Sequence, residues 1–159
     1  MRNILGIIIA LGMVLLLASM AFAGTASQTV TYGISGVQEI SVTGSPNLSI
    51  SAAVAGENPT SVSDSTSTYS FTTNKTGQKI TGSIPINMPE GLTLSATFAD
   101  PGSTWTSASE QPLGTAAVTL ASGGRGSAKN KMLTYTLSAT PDAVEITGTK
   151  LVTYTLLAL

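Results

Sequence analysis

The chain has 159 residues, carries a formal net charge of −1, and contains no cysteine and no histidine. These absences exclude disulfide bonds, thiol nucleophiles, Cys/His zinc sites, histidine-ligated haem and every catalytic triad that uses histidine. Charged residues make up only 9% of the chain, so no basic face is expected for nucleic acid or anionic lipid.

An export signal is predicted at residues 1–23. Arg2 supplies one positive charge, residues 4–17 form an almost unbroken apolar run, and Ala21-Phe22-Ala23 has the small-x-small pattern that signal peptidase reads. We expect cleavage after Ala23. Because the apolar stretch is about as long as a bilayer is thick, retention as an N-terminal anchor is the alternative. Either way residues 24–159 cross a membrane, which predicts a secreted protein, extracellular or at the cell surface, with the periplasm also open.

The segment after the leader alternates apolar and polar residues. Val30, Tyr32 and Ile34 share one parity, which continues at positions 40 and 42 across two glycines. This pattern predicts a long first strand with a flexible joint. Such a strand can leave its own sheet, so residues 24–36 are a possible detachable strand, and Val30, Tyr32 and Ile34 are the strand-exchange candidates.

Period-two alternation continues along the chain and predicts about 8–10 short strands. It is clearest over residues 92–98, 133–139 and 152–156, each with one apolar face and one hydroxyl face. Weaker copies lie at residues 40–42, 48–54, 69–71, 80–86, 116–120 and 144–146. No stretch after Ala23 has helical spacing. We therefore predict a single all-β domain at residues 24–159, an antiparallel β-sandwich of immunoglobulin-like or jelly-roll type.

Particular strands carry further expectations. Pro85 predicts an edge strand or a bulge because proline has no N–H for the ladder. The similar segments 133–137 and 152–156 are interpreted as neighbours in one sheet. Residues 156–159 are apolar on both sides, which favours a central strand or one that is completed by a partner. Residues 55–68 and 100–114 are predicted to be long loops.

The carboxylates and the glycine-rich run give no indication of a catalytic site. Most of the eight carboxylates lie in turn sequences, where capping or solvation explains them, and no calcium-loop motif is present. The glycine-rich run 122–127 lacks the following Lys-Ser/Thr of a phosphate cradle, so a mobile hairpin loop is the better interpretation. We predict a non-enzymatic protein with no catalytic residues, no metal and no cofactor.

Two surface features leave binding roles open. Trp105 lies in a polar stretch, where its ring could stack on a sugar or could fold back as a lid over one end of the sandwich. Threonines two apart, as at positions 134 and 136, raise the idea of ice binding. A plain solvent face of a threonine-rich sheet explains them at least as well.

The leader, the single β domain, the alternating extension 29–34 and the closing segment 152–156 together resemble small exported filament-forming or pilin-like β-sandwich proteins. Many chaperone–usher pilins have a disulfide, so cysteine-free biofilm-matrix fibre proteins and archaeal bundling pili are the closer comparison. The resemblance implies that a strand of one subunit completes the sheet of the next.

The predicted function is therefore a secreted structural subunit of a filament, pilus or matrix. It would self-associate by strand donation, with Val30, Tyr32 and Ile34 filling a groove in a neighbouring copy, so the expected partner is the protein itself. One alternative is a carbohydrate-binding or adhesion module that uses Trp105 and takes polysaccharide as its partner. Another is a monomeric envelope protein. No nucleic-acid partner is expected, and the membrane is involved only through the leader during export.

Overall fold

The computed structural model describes residues 24–102 and 104–159. They form two antiparallel sheets packed as a sandwich, which confirms the predicted all-β fold. Residues 35–159 are one compact unit. Residues 24–34 lie outside that unit and contain no helix or strand. The predicted leader falls outside the described residues, and the described residues include no helix long and apolar enough to span a bilayer.

Nine strands are present in the described part of the chain. In chain order they are β1 (Gln38–Thr43), β2 (Val62–Thr73), β3 (Gln78–Ser83), β4 (Leu92–Phe98), β5 (Trp105–Ser107), β6 (Gln111–Pro112), β7 (Val118–Gly123), β8 (Gly126–Ala139) and β9 (Thr153–Ala158). The large sheet has the order β1-β2-β8-β4-β6, and the small sheet has the order β5-β7-β3-β9. The long strands β2 and β8 pair with each other and form the centre of the large sheet.

The core lies between the two inner faces. Tyr69, Ile80, Phe98, Leu120 and Leu133 are at most 1% exposed and come from five different strands. Aromatic packing links the sheets: the ring centroids of Phe98 in the large sheet and Tyr154 in the small sheet are 5.5 Å apart. Burial of these side chains supplies the cohesion that disulfides give many small exported domains.

The structure corrects two predictions about strand placement. Segments 133–137 and 152–156 are not neighbours, because β8 belongs to the large sheet and β9 to the small one. The last strand is not central either: among the described residues β9 pairs with β3 alone and forms an edge. Alternation records which face of a strand is buried but does not record which strand lies beside it.

Three predicted strands are absent. Residues 30–34 and 144–146 have no strand assignment, and residues 48–54 contribute only an isolated bridge between Ala53 and Pro59. Val144 and Ile146 are 70% and 55% exposed, so no opposing sheet packs on this alternating segment. Conversely, β2 begins at Val62 inside a predicted loop, and the predicted loop 100–114 contains β5 and β6.

Pro85 affects the small sheet differently from the expectation. Strand β3 ends at Ser83, before the proline, and lies in the centre of the sheet between β7 and β9. The prediction of an edge strand is therefore wrong. An irregularity does occur in β3, as a register shift against β7 between Ile80 and Thr81. Beyond the strand, Ile84 is 1% exposed and its N–H donates to the Gly114 carbonyl at 2.9 Å.

Candidate functional site

The N-terminal segment displays the three predicted strand-exchange residues to solvent. Val30 is 73% exposed, Tyr32 95% and Ile34 84%, in a stretch with no secondary structure. Large apolar side chains in solvent are ordinary when scattered singly. Here three occur at alternate positions, so an extended backbone would present all of them on one face. The segment therefore has the sequence pattern of a strand, although it is not paired with another strand in the described structure.

Asn74 fixes the point at which the compact unit begins. Its Oδ1 accepts the Val37 N–H at 2.8 Å, and its Nδ2 donates to the Ser35 carbonyl at 2.8 Å. The Asn74 N–H also donates to the Val37 carbonyl at 3.3 Å, and Arg125 Nε donates to the Asn74 carbonyl at 3.0 Å. Both side-chain bonds of Asn74 reach the backbone just after Ile34. We call this arrangement the Asn74 clamp.

Behind the clamp a polar cluster closes the same end of the sandwich. Gln78 is 2% exposed and donates to the carbonyls of Thr76 and Gly77 at 3.0 and 3.1 Å. Its Oε1 accepts a bond from Gln38 Nε2, and Lys75 Nζ donates to Gln38 Oε1 at 2.6 Å. No buried side-chain nitrogen or oxygen in the described residues lacks a partner. The polar groups of the cluster therefore bond to one another, and the bond from Gln38 to Gln78 holds the start of β1 in place.

Within the described residues, strand β9 has a free edge, which we define by the backbone groups of Tyr154, Leu156 and Ala158. Leu159 N–H donates to the Gly77 carbonyl at 2.9 Å, so these two residues form a hydrogen-bonded pair in register with the β3–β9 ladder. Such pairs alternate along an antiparallel ladder. The N–H and C=O groups of the three intervening residues therefore point away from β3.

Strand β1 has a second free edge. The bond from the Asn74 N–H to the Val37 carbonyl lies in register with the β1–β2 ladder. By the same alternation, the backbone groups of Gln38, Ile40 and Val42 point away from β2. The exposed carboxylate of Glu39 lies in this strand, and charge on an edge strand discourages pairing with another chain. Strand β9 contains no charged residue.

Trp105 is buried. The residue is 6% exposed, its Nε1 donates to the Gly124 carbonyl at 2.9 Å, and its ring centroid lies 4.4 Å from that of Phe71. Gly123 makes room for the ring: a Cβ there would lie 2.5 Å from Trp105 Cγ. A sugar can stack only on an uncovered ring face. The carbohydrate-binding role stays a prediction, and it would require the ring to leave this position.

Acidic side chains in the described residues act singly. No group of three or more acidic side chains capable of holding an ion occurs in them. The Asp64 carboxylate accepts bonds from the Thr66 hydroxyl, the Thr66 N–H and the Asn47 N–H, and these bonds lower the pKa of Asp64. This carboxylate bonds to the local backbone at the register shift of β2 against β8 between Asp64 and Ser67.

The glycine-rich run 122–127 joins the two sheets instead of closing a hairpin. It links β7 of the small sheet to β8 of the large one. The Gly124 carbonyl accepts from Trp105 and the Arg125 carbonyl accepts from the Thr104 hydroxyl at 3.0 Å. The run therefore packs around Trp105, and these contacts give it a structural role.

The outer face of the large sheet is rich in hydroxyl groups. Cross-strand hydroxyl pairs lie at 2.9 to 3.0 Å: Thr43 with Thr68, Ser63 with Thr136, and Ser65 with Thr134. Pairs of this kind stabilise a sheet by bonding to each other. They fit the solvent-face interpretation of the threonine pattern.

No family model, no curated protein and no solved structure matches this chain. The candidate site therefore rests on its own geometry. Its features are separate: the exposed alternating residues in the N-terminal segment, and the Asn74 clamp and the free sheet edges in the compact unit. The sequence pattern identified the first of these. It did not identify the clamp or the free edge of β9, because both depend on pairings between distant parts of the chain.

Proposed function

We propose that this protein is an exported structural subunit that associates with further copies of itself into a filament or matrix. Residues 24–36 of one copy would pair as a strand with a neighbouring copy. One observation carries the proposal: Val30, Tyr32 and Ile34 are 73 to 95% exposed at alternate positions in a segment without secondary structure.

The energetics of such pairing are favourable in sign. Burying an exposed Val or Ile side chain contributes about 1.5–3 kcal/mol, and the strand would gain main-chain hydrogen bonds along its length. Association costs several kcal/mol in lost freedom, and ordering the segment adds to that cost. A single donated strand is therefore expected to bind measurably.

The experiment compares three forms of the protein recovered after export. The first is unaltered, the second carries Val30→Ser, Tyr32→Ser and Ile34→Ser, and the third carries Thr29→Ser and Thr31→Ser as a matched control on the polar positions. Assembly is followed by electron microscopy and analytical ultracentrifugation. We expect fibres or oligomers from the first and third forms, and monomers from the second.

The stability of each form separates loss of assembly from loss of folding. Because the three side chains are solvent-exposed, the unfolding midpoint of the triple-serine monomer should match that of the control. Assembly by the triple-serine form at the level of the unaltered protein would contradict the proposal. Monomeric unaltered protein would favour the envelope-protein alternative. A tryptophan fluorescence change with polysaccharide would favour the adhesion alternative.

A further inference from the structure

The strands of the small sheet lie against successive positions along the length of β8. Their order shows where a further strand of that sheet would lie. At one edge Trp105 of β5 packs on Phe71, which is paired with Ala128 near the start of β8. At the other edge the Tyr154 hydroxyl of β9 donates to the hydroxyl of Tyr135 at 2.6 Å, farther along β8. The next strand position of the small sheet therefore falls beyond Tyr135, on the same face of the large sheet.

An apolar row lies at that position. Leu137 follows Tyr135 by two residues and thus shares its face, and its cross-strand partners are Val62 of β2 and Leu94 of β4. Leu94 is 8% exposed, whereas Leu137 and Val62 are only half-buried and stand outside the buried core cluster. We call these three residues the Leu137 row. Two of its three side chains are therefore only partly covered by the rest of the sandwich.

The β1–β2 connection covers part of this region but does not bond to the backbone groups at the free edge of β9. The connection between β1 and β2 places Leu48 against the core, and the Asn47 N–H donates to Asp64 Oδ2 at 3.1 Å. In the described part of the chain, however, this connection makes no backbone hydrogen bond to β9. The free edge of β9 thus stands beside an incompletely buried apolar row.

The N-terminal segment of a second copy fits this edge in length and pattern. The six residues 29–34 match the six residues of β9, and neither stretch contains a charge. Directly opposed residues of paired strands point to the same side of a sheet. Pairing that opposes Val30, Tyr32 and Ile34 to the inward residues of β9 therefore turns all three toward the Leu137 row, with Thr29 and Thr31 outward.

We infer that the free edge of β9 is the acceptor, and that residues 29–34 of a second copy add to it as a fifth strand of the small sheet over the Leu137 row. This inference rests on the proposed function. The competing acceptor is the free edge of β1, which carries Glu39 and follows the end of its own chain's N-terminal segment.

The absence of cysteine permits a direct test by disulfide trapping. Three single variants of the exported protein are prepared: Thr31→Cys on the donor, Thr155→Cys on β9, and Ser41→Cys on β1. All three positions are exposed. The donor variant is mixed with each acceptor variant under reducing conditions, assembly is confirmed by ultracentrifugation, and the mixture is then oxidised. Mixing single variants ensures that any mixed dimer joins two copies. Thr31 lies opposite Thr155 when residues 29–34 run parallel to β9 with Val30 opposite Tyr154. A Leu157→Cys variant covers the antiparallel alignment with Val30 opposite Ala158, and a Thr153→Cys variant covers a register shifted by two residues.

We expect a mixed disulfide dimer of the donor with Thr155→Cys, Leu157→Cys or Thr153→Cys, at least tenfold more abundant than with Ser41→Cys. Trapping at Ser41→Cys, or trapping at none of these positions in a mixture that assembles, would overturn the inference and leave the proposed function standing. Failure of the unaltered protein to assemble would overturn both.

Discussion

The hydroxyl of Tyr154 donates a hydrogen bond of 2.6 Å to the hydroxyl of Tyr135 and thereby joins edge strand β9 to the centre of the opposite sheet. The two tyrosines occupy the same place in nearly identical sequences, Leu-Thr-Tyr-Thr-Leu and Val-Thr-Tyr-Thr-Leu. The ring of Tyr154 also lies 5.5 Å from that of Phe98, centroid to centroid. Each strand thus contributes its tyrosine to one shared contact between the sheets.

Removal of one hydroxyl should therefore affect both strands. We expect Tyr154→Phe and Tyr135→Phe each to lower the free energy of unfolding by about 1 kcal/mol. The double variant should lose less than the sum, with a coupling of about 0.5–1.5 kcal/mol, because both single changes break the same bond. Urea denaturation of the four proteins measures this cycle. Tyr32→Phe, at a residue that is 95% exposed, is the control and should leave stability unchanged. Strict additivity would show that the two hydroxyls do not interact.

Alkaline pH should weaken the sandwich through three tyrosines. Burial raises the pKa of Tyr69, Tyr135 and Tyr154 above the ordinary value of 10.0, with the Asp100 charge adding to the effect at Tyr69. The hydrogen bond to Tyr135 raises the pKa of Tyr154 further, whereas the same bond partly opposes the increase at Tyr135. The folded state therefore keeps these protons after the unfolded chain has released them.

The sign of the pH dependence follows from this difference. Below about pH 9 both states hold the protons, so these tyrosines add no slope. Above about pH 10 the unfolded state binds fewer protons, and the free energy of unfolding should fall by up to about 1.4 kcal/mol per pH unit for each tyrosine. Urea denaturation between about pH 8 and 11 measures the slope, and Tyr154→Phe should reduce it. A flat profile above pH 10 would contradict the prediction.

The strands that the sequence predicts best are those with one buried face. Residues 92–98 become β4 with the predicted bounds, because Leu94, Ala96 and Phe98 all reach the core. Residues 133–139 form the end of β8 for the same reason. Where alternation met no opposing layer, as at Val144 and Ile146, no strand formed. A period of two describes one strand, and a sheet requires a neighbour as well.

Two parts of the structure gave no local signal. The first half of β2 is dominated by Ser and Thr and has only one apolar residue, Val62, so it resembles a loop. Its strand conformation comes from pairing with β8. Trp105 lies among polar residues, and its burial depends on the space beside Gly123, eighteen positions later. The same distinction applies to the candidate site. The exposed N-terminal segment was predictable from its local pattern, whereas the free edge of β9 depends on the order of strands in the sheet.

The space at Gly123 provides a sharp test of Trp105 packing. In Gly123→Ala the new Cβ would clash with the Thr104 carbonyl oxygen and lie 2.5 Å from Trp105 Cγ, so the ring or the strand must move. We expect a loss of about 1–3 kcal/mol and a red shift of the emission of the single tryptophan. Gly124→Ala is the matched control, since its Cβ meets nothing within 4 Å. Equal stability of the two variants would show that Trp105 is not held against Gly123.

The Asn74 clamp should protect the backbone where the compact unit begins. Asn74→Ala removes the acceptor of the Val37 N–H and the donor to the Ser35 carbonyl. We expect the Val37 amide to exchange its hydrogen at least tenfold faster and the free energy of unfolding to fall by about 1 kcal/mol. Hydrogen exchange followed by NMR measures the first effect and urea denaturation the second.

Asn74→Asp separates the two bonds of the clamp. The carboxylate keeps an acceptor for the Val37 N–H but has no N–H to donate to the Ser35 carbonyl. The Val37 amide should therefore stay protected in Asn74→Asp, while Ser35 loses its restraint in both variants. Unchanged Val37 exchange in Asn74→Ala would show that its bond to Asn74 Oδ1 does not protect that amide.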